Sequence, residues 1–325
     1  MLDWATRKAR GEQAADAKAP ETGDGSHPPE LIDAPKPKPQ QQGIGLALGG
    51  GAARGWAHIG VLRALDEAGI KIDMIAGTSI GALVGGCYLA GKLDELEEFA
   101  LGLTRRRMFG LLDLHIGGAG LFGGMRLTQR MREHMDGVTF EGLDRPFVCV
   151  ATEIDTGHEI WLSSGHLINA MRASYALPGV FEPVRLNGRL LVDGALVNPC
   201  PVSVCRAYEK RMVVAVNLAH DLFGRSAVIK VKADESIAEV GNVEEASARN
   251  QRLGITGVMV EAFNIIQDRI SRARMAGDPP DLMLSPELGP IALTDFHRAR
   301  ESIDLGYEAA ISRLAELQRI RAALA

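Results

Sequence analysis

Twice between residues 44 and 91 the chain runs through a short apolar stretch, a turn carrying glycine, and an apolar segment of helical length. "IGLALG" (44–49) is uniformly apolar and bounded by glycine, as a strand buried on both faces must be. "GWAHIGVLRALDEAG" (55–69) then places apolar residues at helical spacing and closes on Gly69. "IDMIAG" (72–77) and "SIGALVGGCYLAG" (79–91) repeat the pattern. Helices are expected at 94–103, 128–135, 167–179, 252–275 and 294–324. Strands are expected at "RPFVCVATEID", "GRLLVDG", "RMVVAVNL" and "DLMLS". Short buried strands alternating with helices predict an α/β fold with a largely parallel sheet.

Composition marks off the ends of this pattern. Residues 1–42 hold six of the fifteen prolines and almost no aromatics, and "DAPKPKPQQQ" cannot bury enough apolar surface to offset its ordering entropy. A disordered tail is expected there, with one domain over 43–325 and a polar, irregular excursion at 221–245. The first ten residues, "MLDWATRKAR", have no apolar stretch behind them, so no secretory signal is read. The most apolar window, "MIAGTSIGALVGGCYLAG" (74–91), is interrupted by five glycines, which suits a strand-turn-helix and not a membrane span. Cys87, Cys149, Cys200 and Cys205 show no metal-ligand spacing, and reduced thiols in a cytoplasmic protein are expected. With a net charge of −5, nothing global points to nucleic acid.

Two motifs carry chemistry. "LALGGGAARGWAHIG" (46–60) sets three glycines between a strand and a helix, which favours an anion, either a bound phosphate or a transient oxyanion. "GTSIG" (77–81) fits G-x-S-x-G with a strand before it and a helix after it. In that context Ser79 sits on a tight elbow between the small residues Gly77 and Gly81, with its hydroxyl exposed to substrate. The helix N-terminus favours the negative charge that develops there.

A nucleophilic serine needs a base. None of His27, His58, His115, His134, His158, His166, His220 and His297 lies in a late strand-end loop, and His58 falls inside the first helix, where a packing or capping role is expected. The better candidate is Asp193 in "LVDGALVNP", which ends an apolar strand and is followed by Gly194. A carboxylate at the end of a parallel strand points into the crevice where α/β sites form. Ordinary aspartate is a weak base, so the pairing requires a water-poor site that raises its pKa. It also requires donors for the oxyanion, a role open to the N–H groups of Gly49, Gly50 and Gly51.

"GGGAARGWAHIG", "GTSIG" and "DGA", in this order, together with "ASYALPGVFEPV" (173–184), resemble the patatin-like phospholipase family, in particular its bacterial subgroup similar to the neuropathy target esterase catalytic domain. The match covers roughly 44–208, with 209–325 as a strand and helix completion. It implies a three-layer sandwich with helices on both faces of the sheet. It also implies a serine lipid acyl hydrolase that cleaves phospholipids or lysophospholipids through a Ser–Asp dyad and an acyl-enzyme, with no metal and no cofactor. By position Ser79 is then the nucleophile and Asp193 the base. Gly49, Gly50 and Gly51 form the oxyanion hole, and Arg54 supports the loop or faces an anionic head group. Ala52 departs from the family pattern, where a further glycine is common.

Residues 101–132 carry six arginines and one aspartate among Phe, Leu and Met. Peripheral contact with the inner face of the membrane is expected through 105–127. The late helix "GVMVEAFNIIQDRI" has an apolar stripe at helical spacing, which favours core or a dimer face over lipid binding. A nucleotide-binding reading fails because Arg54 stands where the third glycine of G-x-G-x-x-G belongs and no GK[ST] follows. Other readings left open are a non-lipid carboxylesterase or thioesterase using the same dyad, and a regulatory protein that retains the fold.

Overall fold

A computed structural model describes residues 43–104, 120–122, 125–219 and 255–324. The expected tail at 1–42, the excursion at 221–245 and most of the 105–127 segment lie outside the described residues. Their order is β1 (Ile44–Leu48), α1 (Ala57–Glu67), β2 (Met74–Thr78), α2 (Ile80–Leu89), α3 (Leu93–Leu101), β3 (Gly120–Phe122), α4 (Met125–Met135), β4 (Phe147–Glu153), β5 (Glu159–Leu162) and α5 (Leu167–Ser174). After these come β6 (Gly179–Phe181), β7 (Val184–Leu186), β8 (Arg189–Asp193), α6 (Val202–Ala207), β9 (Met212–Val216), α7 (Ile255–Gly277), β10 (Leu282–Leu284) and α8 (Ala299–Leu324).

The main sheet runs β10-β9-β1-β2-β4-β8-β7, with β5 also paired to β4. From β10 to β4 every pairing is parallel, as the alternating pattern predicts. Strand periodicity sorts the buried residues onto two faces. Leu46, Leu48, Ile75 and Val214 pack with α1, α2, α5 and α8, whereas Ala47, Ala76, Val148 and Val213 pack with Val202, Val204 and Cys205 of α6. Helices therefore cover both faces of the sheet in three layers.

The strand bearing Asp193 corrects the expectation of a parallel strand end: β8 is antiparallel to β4 and to β7. Amide groups of alternate strand residues point to opposite edges. Ile75 N–H donates to Pro146 O of the segment entering β4, and Ile154 N–H at its far end donates to Leu190 O of β8. Glu153 N–H turns the other way, to His158 O in the β5 hairpin. The even-numbered positions of β4 thus serve β2 first and β8 next, so these two strands lie end to end along one edge. They run toward each other: Thr78 pairs with Val150 and Asp193 with Ala151, adjacent residues of β4. This head-on meeting brings the two chemical residues together across 114 positions of sequence.

The C-terminal helix belongs to this core. It crosses α1 so closely that a Cβ on Gly60 would stand 1.9 Å from Ile303 O and one on Gly306 2.0 Å from Ala57 O. Any side chain at either crossing point would force the helices apart. Among the described residues no helix is long and apolar enough to cross a membrane.

Candidate active site

Ser79 is the residue between β2 and α2, with φ 57 and ψ −124. An L-residue rarely adopts this conformation, and the turn is held by lack of space on both sides. A Cβ on Gly77 would stand 2.6 Å from the backbone of Gly81 and Ala82, and one on Gly81 2.2 Å from Leu48 O. The G-x-S-x-G pattern is therefore a packing requirement here.

Ser79 Oγ donates a hydrogen bond to Asp193 Oδ2 at 2.6 Å, and both residues are buried. The other carboxylate oxygen accepts from Ala195 N–H at 2.8 Å, which fixes the rotamer. Backbone bonds hold the strand end itself: Asp193 N–H donates to Ala176 O at 2.9 Å, and Thr152 Oγ1 donates to Asp193 O at 2.9 Å. Gly194 must be glycine, because a Cβ there would lie 2.2 Å from Val150 O. Burial pushes the Asp193 carboxyl up from 3.8 to about 7, against the opposing pull of the hydrogen bonds from Ser79 and Ala195 N–H. This is the water-poor, raised-pKa carboxylate that the pairing needs.

Sequence reasoning missed Ser174. The ladder that joins Ile75 N–H to Pro146 O would next, two rungs on, join Ser79 N–H to Val150 O. The Ser174 hydroxyl occupies that rung instead: it accepts from Ser79 N–H at 2.9 Å and donates to Val150 O at 2.6 Å. It is fully buried and lies at the end of α5, inside the "ASYALPGVFEPV" stretch already singled out. A side chain in place of a backbone rung lets the chain turn at Ser79 without orphaning a buried N–H.

The glycine loop requires a correction. Gly49 N–H donates to Val216 O at 3.1 Å and Gly50 N–H to Pro199 O at 2.9 Å, so both are committed to the scaffold. Farther on, Ala53 N–H donates to Leu293 O and Arg54 N–H to Gly51 O. The N–H groups of Gly51 and Ala52 are the loop donors left out of these bonds. Ala52 has φ 48, a second left-handed non-glycine residue at the site. Gly50 faces Ser79: a methyl built on it would stand 3.4 Å from Ser79 Cβ, Ala195 Cβ and Gln267 Oε1. Gln267 of α7 is thus a further polar neighbour that no motif announced.

Arg54 and His58 brace this loop from behind. Arg54 is buried and its Nε donates to Ile291 O at 2.7 Å, while its carbonyl accepts from Ser302 Oγ at 3.0 Å. Of the two roles open to Arg54, this geometry provides loop support. His58 Nε2 lies 2.7 Å from Gly49 O, and burial lowers its pKa to about 4. A neutral ring beside a carbonyl must donate, so Nε2 carries the proton. As expected, His58 packs, and its ring bonds the carbonyl of Gly49.

Residues 46–206 match the family model described as patatin-like phospholipase. An uncharacterized NTE family protein of Mycobacterium tuberculosis is 32% identical over 319 residues, covering 81% of this chain and 89% of that one. A lysophospholipase of Mycosarcoma maydis is 37% identical over 190 residues, covering 54% of this chain and 10% of that protein. In solved structures the fold is similar to that of VipD from Legionella pneumophila, with a TM-score of 0.53, 13% identity, and coverage of 85% of this chain and 67% of that one. The chain belongs to the patatin-like phospholipase family of lipid esterases.

Proposed function

We propose that this chain is a serine hydrolase that cleaves acyl esters of phospholipids or lysophospholipids through the Ser79–Asp193 dyad. The observation that carries the reading is the 2.6 Å bond from Ser79 Oγ to a buried carboxylate whose pKa is raised to about 7. Asp193 takes the hydroxyl proton as Ser79 Oγ bonds to the acyl carbonyl carbon. The carbonyl π-electrons move onto oxygen, giving an oxyanion. Gly51 and Ala52 N–H, which take no part in the loop's backbone bonds, and the N-terminus of α2 behind Ser79 are assigned to that charge. Collapse expels the alcohol, which takes the proton from Asp193 and leaves an acyl-serine. Water then repeats the sequence, with Asp193 again as base, to release the fatty acid.

Substrate class rests on kinship: a relative named as a lysophospholipase is 37% identical to this chain over 190 residues. Fatty-acid release from a panel of diacyl and lysophospholipids, set beside short-chain soluble esters and thioesters, tests it. Lipid hydrolysis by the wild type and its loss in Ser79→Ala are expected. Turnover confined to soluble esters or thioesters would overturn the lipid reading and leave the dyad chemistry standing.

A further inference from the structure

Helix α7 is turned inside out relative to an ordinary surface helix. Its buried positions are polar: Asn264, Asp268 and Ser271 are 8%, 3% and 4% exposed. On the opposite side Val258, Met259, Ile265 and Ile266 are 54%, 47%, 48% and 45% exposed. The spacing 258, 259, 262, 265, 266 is that of one helical face, with Ala262 at its centre. The "GVMVEAFNIIQDRI" stripe therefore does not enter the core; the structure turns it outward.

The helix that carries this face borders the active site. Helix α7 packs on the turn Gly194–Leu196 just after Asp193 and on β6, and its Gln267 reaches the neighbourhood of Gly50 and Ser79. Its C-terminal part is anchored: Arg274 bonds Glu159 Oε2 at 2.7 Å, and Trp161 Nε1, on a residue 41% exposed, donates to Glu159 Oε1. Arg269 continues the line of the apolar stripe one turn beyond Ile265 and is exposed.

We propose that the outer face of α7 docks on an anionic lipid surface, which places the mouth of the dyad against the membrane that holds its substrate. The inference rests on the lipid reading above. Three features select a lipid surface over a second copy of the chain. An apolar stripe continued by arginine, with an indole near the anchored end, matches the layering of acyl chains, anionic head groups and interface. The helix borders the site from which a bilayer lipid would have to be drawn. The patch also exposes only about half of each of four large side chains, roughly 300–400 Å², well short of the about 800 Å² per partner that a stable dimer buries.

The test uses the full chain with Ser79→Ala, so that vesicles stay intact, in sedimentation with phosphatidylcholine vesicles containing or lacking half phosphatidylglycerol. Binding to the anionic vesicles is expected, with at least a tenfold loss in Ile265→Ser/Ile266→Ser. Arg269→Glu should weaken binding to the anionic vesicles and leave any binding to the neutral ones unchanged. With Ser79 restored, the double variant should hydrolyse a soluble short-chain ester within twofold of wild type and vesicle lipid at least tenfold more slowly. No sedimentation of the parent chain, or equal sedimentation of the double variant, overturns the docking proposal. So does a wild-type dimer in light scattering that the double variant converts to monomer without altered vesicle binding. Absence of any ester hydrolysis by wild type would instead sink the hydrolase reading and leave the vesicle result interpretable by itself.

Discussion

Replacing Asp193 with asparagine separates what the carboxylate does for the reaction from what it costs the fold. Asp193 is buried, and burial lifts its pKa from 3.8 to about 7. A folded-state pKa raised above the unfolded value means that the native state binds the proton more tightly than the unfolded chain. The corresponding stability is present in full below about pH 4 and is lost as pH rises through 7. The difference between the two pKa values corresponds to about 4 kcal/mol. Asparagine does not ionise, so Asp193→Asn escapes this loss, though it sacrifices a pH-independent amount by weakening the bonds to Ser79 and Ala195. The difference in stability, variant minus wild type, should therefore rise by about 4 kcal/mol between pH 4 and 8 and level off above. For a domain of this size that is about 8 °C in Tm. Thermal melts of both proteins across this range read it directly, and the variant should be inactive throughout. A difference that does not change with pH would refute a raised carboxylate pKa and, with it, Asp193 as the base.

Other outcomes follow from the same geometry. The kcat/KM of wild type should fall on the acid side with an apparent pKa of about 7, because only ionised Asp193 accepts the Ser79 proton; a flat profile between pH 5 and 8 would contradict this. Ser174→Ala should lower kcat by about 10–100-fold with little change in KM, since the elbow loses its inserted rung at 2.9 and 2.6 Å. Ser174→Thr, which keeps the hydroxyl, should recover part of that loss, and steady-state kinetics separates the two. Ala52→Gly should raise stability by about 0.5–1 kcal/mol in denaturant melts, because φ 48 strains alanine and suits glycine. Gly81→Ala should cost several kcal/mol or prevent folding, because its Cβ would fall 2.2 Å from Leu48 O; an active, stable variant would show that the elbow is not packed as described.

The parts of the fold legible from sequence were those written in local pattern. Short apolar runs marked β1, β2, β4, β8, β9 and β10, all present close to the expected bounds. Ser79 and Asp193 were legible because each sits where a strand stops beside glycine. Strand direction was not: "GRLLVDG" reads the same whether it runs with β4 or against it, and the antiparallel choice is a matter of long-range chain path. Gly49 and Gly50 looked like oxyanion donors because their carbonyl partners, Val216 and Pro199, come from about 150 residues away. Ser174 is not legible by itself, since a hydroxyl replacing a backbone rung has no local signature. The α7 stripe was legible as amphipathic, but periodicity gives the direction of a helix's apolar face and not which side the rest of the protein covers. Covering that helix is a matter of long-range packing, which here buried Asn264 and Asp268 and left Ile265 and Ile266 outside.

The central claim is that Ser79, activated by Asp193, is the residue that acquires the acyl group. A fluorophosphonate probe reacts with such a serine, and digestion followed by mass spectrometry locates the adduct. Wild type should carry one adduct, on the peptide containing Ser79, with Ser79→Ala unlabelled and Asp193→Asn labelled far more slowly. Equal labelling of wild type and Ser79→Ala, or an adduct mapped to another residue, would contradict the account.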